Sequence, residues 1–227
     1  MLTVVGTPIG NLEDVSYRQA KTLTGSDIIL AEDTRSAQTL LHAIEHLFGM
    51  KSKEGQRIIS YYKEKEFEKL PAVIEYLEDG LEVSLISEAG MPMISDPGFL
   101  LISTVIKKGL PYDVIPGPSA VTTALLHSGL KFSRFMFLGF FPKKELEFER
   151  LLIQIRDIRG IANHTAFIGF ESPHRINQTL TIMEKVFPDA EIVIARELTK
   201  KFEEIYRGKA AQLKGNEYRG EITVIFS

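Results

Sequence analysis

Cysteine is absent from this chain of 227 residues, which excludes disulfides, thiolate catalysis and cysteine-ligated zinc or iron–sulfur sites. No apolar run approaches the roughly 18 residues that a membrane-spanning helix requires. The N-terminus lacks a basic segment leading into an apolar core, so no signal peptide is expected. A surplus of positive charge is missing too, because the formal net charge is −3, although a local basic face could exist within it. We therefore expect a soluble cytoplasmic protein without membrane contact.

Apolar runs that alternate with helical patterns dominate the first half of the chain. Strands are predicted at residues 1–5, 28–31, 57–61, 83–86 and 112–115. Helices are predicted between them, including an amphipathic helix over 64–79 with Phe67, Leu70, Ile74 and Leu77 on its apolar face. Strands that alternate with helices favour right-handed βαβ units and a mainly parallel sheet.

The second half contains more strands than crossover helices, which indicates a mixed or antiparallel sheet. Strands are predicted at 135–141, 164–170, 191–195, 202–207 and 221–226. The fold class is therefore α/β with two domains, residues 1–115 and residues 116–227, and a cleft between them.

One local construction occurs three times in the first half: a buried strand runs into a turn rich in glycine and proline. The three turns are residues 6–11, 87–98 and 116–120. Glycine lets a ligand approach the main chain closely, and proline makes the turn rigid. Ligands of open α/β sheets bind at the carboxyl ends of strands, so these turns are candidate binding loops.

Seven segments, in this order, carry a resemblance to a known family: Val5–Leu12, Ala31–Arg35, Ile94–Gly98, Pro116–Ala120, Gly139–Pro142, Glu171–Arg175 and Ala195–Lys200. The set resembles the tetrapyrrole-methylase superfamily over essentially the whole chain. Glu32–Arg35, Glu171–Arg175 and Arg196–Lys200 resemble its ribosomal RNA (cytidine-2′-O)-methyltransferase branch in particular.

The resemblance implies a homodimer that binds S-adenosylmethionine and methylates the ribose 2′-hydroxyl of a decoding-centre cytidine in 16S ribosomal RNA or the small ribosomal subunit. It implies cofactor contacts from the first domain and the start of the second at Pro8, Glu88, Ala89, Gly90, Ile94, Ser119 and Ala120. It implies further cofactor contacts from the second domain at Phe170, Leu198 and Thr223. Ser119 also fits a plain helix cap, and Phe170 and Leu198 fit ordinary core packing.

Transfer of a methyl group to a ribose hydroxyl requires an aligned oxygen and a group that accepts its proton. Candidate proton acceptors at strand ends are Glu32, Asp33, Glu171, His174, Glu197 and Lys200. Arg35, Arg175, Arg196 and Lys200 could bind phosphate or orient those carboxylates, and the residues selected as catalytic are Glu32, Arg35, Glu171, Arg175, Glu197 and Lys200. A structural network of ion pairs is the alternative for each of them.

No metal site is predicted. His42 and His46 have ligand spacing, but they fit the solvated face of a helix better. The run Lys63–Glu66 is expected on an exposed helix face. A basic surface for RNA could comprise Lys143, Lys144, Lys200, Lys201, Arg207 and Lys209.

The chain departs from the family at Ser60–Lys65, where relatives show a segment with His and Asn, and at Glu88 and Met91, where they show Asp and Thr. Many relatives also carry a C-terminal segment beyond the last strand, so we expect RNA contacts made there to come from elsewhere, for instance across a dimer. Two alternatives remain: methylation of a tetrapyrrole or another small molecule, and a non-enzymatic ribosome-associated protein.

Overall fold

A computed structural model describes residues 1–162 and 164–227. The chain divides into two compact units, Met1–Ser119 and Ala120–Ser227. The sequence predicts this boundary between residues 115 and 116, and the structure has it four residues later, after the third glycine- and proline-rich turn.

The first unit consists of alternating strands and helices. In chain order they are β1 (Leu2–Val5), a 3₁₀ turn (Leu12–Asp14), α1 (Tyr17–Gly25), β2 (Ile28–Ala31), α2 (Thr34–Phe48), β3 (Arg57–Ser60), α3 (Lys63–Glu78), β4 (Val83–Ile86), α4 (Phe99–Lys108) and β5 (Tyr112–Ile115). Every predicted strand and helix of this half is present, and the strand bounds agree within one residue.

The five strands form one sheet in the order β3-β2-β4-β1-β5, and all its pairings are parallel. Strands β1, β2 and β4 are completely buried because helices cover both faces of the sheet, which is why they read as continuous apolar runs. One core cluster lies on each face. The predicted parallel sheet is confirmed, and it brings the turns after β1, β4 and β5 to one edge.

Helix α3 contradicts the predicted burial pattern at its first turn. Phe67 was expected to face the core but is 81% exposed, and Glu66 was expected on the solvated face but is 9% exposed. Of the remaining inward positions, Ile74 and Leu77 are buried as predicted and Leu70 is partly buried. The reason is a contact with another helix: the Glu66 carboxylate faces the first turn of α4 and accepts hydrogen bonds from it, which leaves Phe67 on the outer side of α3.

The second unit contains α5 (Ala120–Ser128), β6 (Arg134–Phe140), α6 (Glu145–Ile161), β7 (Thr165–Glu171), α7 (Ile176–Val186), β8 (Ile192–Arg196), β9 (Glu204–Gly208), α8 (Ala210–Leu213) and β10 (Ile222–Phe226). Strand β9 begins two residues later than predicted, so Phe202 lies in the turn before it. Phe202 is an exposed side chain.

The second sheet has the order β6-β7-β10-β8-β9. Strand β6 pairs parallel with β7, whereas β10 pairs antiparallel with both β7 and β8, and β8 pairs antiparallel with β9. The predicted mixed sheet is confirmed. Its core is formed by β7, β8 and β10 together with the inward faces of α6 and α7.

Candidate functional site

The first and second glycine-rich turns are joined by their main chains. The Thr7 amide donates to the Gly90 carbonyl at 2.8 Å, and the Gly90 amide donates back to the Thr7 carbonyl at 3.2 Å. Gly90 has a φ of 81°, a conformation that favours glycine. The two turns therefore form one surface at the carboxyl ends of β1 and β4.

The first and third turns pack against each other at Gly6 and Gly117. A Cβ atom on Gly117 would lie 2.8 Å from the Gly6 carbonyl carbon, and one on Gly6 would lie 2.7 Å from the Gly117 nitrogen. The Gln19 side-chain amide stabilises this contact, because it donates hydrogen bonds to the carbonyl oxygens of Gly6 at 2.7 Å and Pro116 at 3.2 Å. Only glycine fits this close approach of two main chains.

The predicted cofactor contacts of the first unit lie on these joined turns. Pro8 and Gly90 are buried, Ser119 is partly buried, and Glu88, Ala89 and Ile94 are exposed. A Cβ on Gly90 would meet the Ile9 side chain at 3.3 Å and the Pro118 carbonyl oxygen at 3.6 Å. A side chain at this position would therefore press on Ile9 and touch the main chain of Pro118, and the role of each residue in cofactor binding stays a prediction.

Four carboxylates, those of Glu32, Glu64, Glu88 and Asp96, influence one another around the ends of β2 and β4. Burial raises the pKa of Glu32, and the charges of Glu88 and Glu64 raise it further. Burial also raises the pKa of Asp96 to about 6, helped by the charge of Glu32, while a hydrogen bond with Ser87 opposes the shift. Asp96 was absent from the predicted proton acceptors. Its position in the second turn, before a proline and a glycine, was the signal available in the sequence.

Asp33 and Arg35 serve the start of helix α2. The Asp33 carboxylate accepts from the Arg35 amide at 2.7 Å and pairs with the Arg35 guanidinium at 2.8 Å. These bonds, the side-chain bond first, lower the pKa of Asp33 to about 2. The Arg35 side chain is 90% exposed, so its outer face is open to an anion.

Glu171 and Arg175 form a satisfied ion pair inside the second unit. The Glu171 carboxylate is completely buried and contacts the Arg175 guanidinium at 2.5 Å. It also accepts from the Ser172 amide at 2.6 Å and the Thr179 hydroxyl at 2.5 Å. Arg175 donates to two carbonyls at the end of β6 as well. This arrangement ties β7 to α7 and leaves the carboxylate no contact with solvent.

Glu197, Lys200 and Glu221 form a second network beside β8 and β10. The Lys200 ammonium lies 3.0 Å from Glu197 and 2.9 Å from Glu221. Burial by itself would raise the pKa of Glu197, but the hydrogen bond from the Glu221 amide and the contacts with Lys200 outweigh it and lower that pKa. Burial by itself would lower the pKa of Lys200, but its bonds to Glu221 and Glu197 outweigh this effect and raise that pKa. Lys200 is therefore held as a cation and does not accept a proton at neutral pH.

Phe170 and Thr223 are register partners of β7 and β10. Thr223 is buried, and the Phe170 ring packs edge-on against the rings of Phe137 and Phe140. Leu198 is buried, and Ala120 is the first residue of α5. The structure thus gives these side chains packing contacts within their own unit, and their cofactor roles stay predictions.

The remaining polar candidates lie on the surface. His42 and His46 are exposed on α2, and His174 is exposed after β7. Several of the predicted basic residues already have partners: Lys144 pairs with Glu147, Lys209 pairs with Asp189, and Arg207 donates to the His127 carbonyl. Lys201 lies over the ring of Phe202. Across residues 1–162 and 164–227, no helix is long and apolar enough to cross a membrane.

A match to one family extends over both units. The chain belongs to the tetrapyrrole (corrin/porphyrin) methylases, and the match to this family covers residues 1–214.

Relatives within the family carry one shared name. A protein of Thermotoga maritima named ribosomal RNA small subunit methyltransferase I is 37% identical, with 100% of this chain and 97% of the relative covered. A protein with that name from Hydrogenobaculum is 40% identical, with 100% of this chain and 95% of the relative covered. Another from Bacillus subtilis is 34% identical, with 99% of this chain and 74% of the relative covered.

Solved structures support the fold. The methyltransferase CobJ matches with a TM-score of 0.70 at 18% identity, covering 100% of this chain and 93% of that one. Diphthine synthase matches with a TM-score of 0.69 at 14% identity, covering 100% and 90%.

Proposed function

We propose that this chain transfers a methyl group from S-adenosylmethionine to the ribose 2′-hydroxyl of a decoding-centre cytidine in 16S ribosomal RNA. The observation that carries the proposal is the identity of 34–40% to relatives named ribosomal RNA small subunit methyltransferase I, over 99–100% of this chain. The branch-specific segments Glu32–Arg35, Glu171–Arg175 and Arg196–Lys200 support it.

The joined turns support an assignment of the cofactor to this edge of the first sheet. Gly90 is packed against Ile9 and Pro118, and the exposed residues Glu88 and Ala89 precede it. We assign the methionine end of S-adenosylmethionine to Pro8, Glu88–Gly90 and Ile94, and the adenosine end to Ser119, Ala120, Phe170, Leu198 and Thr223. When bound, this cofactor supplies an activated methyl group on a sulfonium, so the protein need only align the acceptor oxygen, exclude water and accept one proton.

Glu32 is the best-placed proton acceptor among the candidates. Within the part of the chain that the structure describes, its carboxylate has no hydrogen bond or ion pair, and burial raises its pKa. Glu171 is fully bonded and buried, whereas the hydrogen bond from the Glu221 amide and the contacts with Lys200 lower the pKa of Glu197 and make it a weaker base. A carboxylate with a raised pKa is a stronger base than an ordinary one, which favours Glu32 for taking the 2′-hydroxyl proton at its carboxylate oxygen.

Arg35 is assigned to an RNA phosphate because its guanidinium is exposed while Asp33 fixes its direction. The ion pairs of Glu171 with Arg175 and of Glu197 with Lys200 are assigned to holding the loops that follow β7 and β8. A homodimer acting in the cytoplasm completes the proposal.

Methylation of a small tetrapyrrole is the second candidate. The description of the family as tetrapyrrole (corrin/porphyrin) methylases and the net charge of −3 favour it, whereas the names of the relatives favour ribosomal RNA.

Labelled S-adenosylmethionine distinguishes these functions. Small ribosomal subunits from a strain lacking this gene, naked 16S ribosomal RNA and a tetrapyrrole precursor are offered side by side. The proposal predicts label in the ribosomal RNA and a loss of transfer in Glu32→Gln. Label in the tetrapyrrole alone would replace the proposal by the second candidate, and cofactor binding without transfer to any acceptor would favour a non-enzymatic role.

A further inference from the structure

Helix α4 begins without a capping side chain of its own. Its N-cap is Gly98, which has a φ of 125° and offers no oxygen to the free amides of the first turn. Such amides require an acceptor when they are buried. Glu66, which lies on α3, supplies it: one carboxylate oxygen accepts from the amides of Gly98 at 3.2 Å, Leu100 at 3.1 Å and Leu101 at 3.2 Å.

Glu66 is buried, and the structure gives it no cationic partner among the described residues. Its negative charge is therefore balanced by the three amides and by the positive end of the α4 dipole. The hydroxyl of the fully buried Tyr61 is close by, and its pKa is raised by burial and by the charge of Glu66. A buried carboxylate with no cation is costly, so its position depends on these amides.

The bond to Glu66 fixes one end of the second turn, residues 87–98. The other end is fixed by the two hydrogen bonds between Thr7 and Gly90. Between these anchors Met93 and Ser95 have φ values of 70° and 74°, which are strained for residues with side chains. Strain of this kind persists only where the surroundings impose it. Glu66 therefore helps to impose the shape of this turn.

We propose that Glu66 is a positioning residue for the cofactor: it holds the second turn in the conformation that receives the methionine end of S-adenosylmethionine. The inference rests on the proposed function and extends it to a residue that touches neither cofactor nor RNA. The hydrogen-bonding geometry of the carboxylate is decisive here, because the amides of Gly98, Leu100 and Leu101 all converge on one oxygen.

Three substitutions separate geometry from charge. Glu66→Gln keeps an acceptor oxygen at the same reach without the charge, Glu66→Asp keeps the charge but withdraws the oxygen, and Glu66→Ala removes both. Cofactor affinity is measured by calorimetry on the full chain, RNA affinity by filter binding, and stability by thermal unfolding.

We expect Glu66→Gln to bind S-adenosylmethionine within about threefold of the wild type, and Glu66→Asp and Glu66→Ala to bind it roughly tenfold more weakly or worse, as expected for lost bonds to a charged acceptor. RNA affinity should stay within about twofold in each variant, because the turn is not assigned to RNA.

Two control variants lie on the same helix. Glu68 is exposed, so Glu68→Ala should change nothing. Ile74 is buried, and Ile74→Val should lower stability by an amount typical of a lost methyl group without changing cofactor affinity. A purely structural role for Glu66 would make its variants behave like Ile74→Val, and that result would overturn the inference.

Tighter binding by Glu66→Asp than by Glu66→Gln would overturn it as well, and this comparison decides even if Glu66→Ala does not fold. A wild-type chain that binds no S-adenosylmethionine would refute the proposed function itself. If the wild type binds S-adenosylmethionine and all three Glu66 variants bind it equally tightly, only the positioning role of Glu66 is refuted.

Discussion

Gly117→Ala tests the close contact between the first and third turns. The added Cβ would lie 2.6 Å from the Gln19 side-chain nitrogen and 2.8 Å from both the Gly6 carbonyl carbon and its Cα. Two of these three atoms belong to main chain, which cannot rotate away as the end of a side chain can. The φ of Gly117 lies outside the region that favours glycine, so the cost comes from contact alone.

The expected cost follows from two contributions. Overpacking of a tightly packed position costs about 1–3 kcal/mol. Displacement of the Gln19 amide also weakens its two hydrogen bonds, to Gly6 and to Pro116, each contributing about 0.5–1.5 kcal/mol. Together they predict a loss of about 2–6 kcal/mol in the free energy of unfolding. For a chain of this size the melting temperature should fall by roughly 4–24 °C.

Calorimetric unfolding measures this change, and titration with S-adenosylmethionine measures its effect on the joined turns. Gly25→Ala is the matched control, because a Cβ there meets nothing within 4 Å at the end of α1. We expect the control to keep or slightly raise the melting temperature, since alanine favours helix. If Gly117→Ala melted with the control and bound cofactor as tightly as the wild type, the close approach would not matter.

Three further predictions concern charged groups. Because the pKa of Asp96 is raised from 3.8 to about 6, the folded chain holds this proton more tightly, and stability falls as pH rises from about 4 to 6. Asp96→Asn should flatten that part of the stability profile measured in denaturant, and an unchanged slope would contradict the shift. Glu171→Gln should destabilise the second unit by about 1–3 kcal/mol in denaturant titrations, because the Arg175 charge loses its buried partner; an unchanged midpoint would refute this. Arg35→Ala should leave the melting temperature unchanged but weaken RNA binding and reduce its salt slope by about 1; an unaltered slope would remove Arg35 from the phosphate contacts.

The strands could be predicted from the sequence because β1, β2 and β4 are buried on both faces, and strands buried on both faces consist mostly of apolar residues. The predicted burial of the first turn of α3 was wrong for a physical reason. Phe67 has helical spacing with Leu70, Ile74 and Leu77, but the buried position is Glu66, whose partners lie more than 30 residues further along the chain. The spacing of residues within α3 cannot predict that one of its carboxylates caps another helix.

For the candidate acids, too, the sequence predicts position but not bonding. Their positions at strand ends could be predicted, because parallel strands end at one edge of the sheet. Whether each carboxylate is free to accept a proton could not be predicted, because this depends on partners from other elements: Thr179 and Arg175 bond to Glu171, and Lys200 bonds to Glu197. Asp96 was missed since its raised pKa comes from burial and from the charge of Glu32 after a different strand.

The most direct test of the central claim maps the modification in 16S ribosomal RNA. A ribose methyl group removes the 2′-hydroxyl that attacks the neighbouring phosphodiester, so a methylated cytidine resists alkaline cleavage. RNA is compared from a strain lacking this gene, from the same strain carrying the wild-type gene, and from one carrying Glu32→Gln. We expect one protected decoding-centre cytidine with the wild-type gene and none in the other two strains. Equal cleavage at every cytidine in all three strains would contradict the proposed methylation.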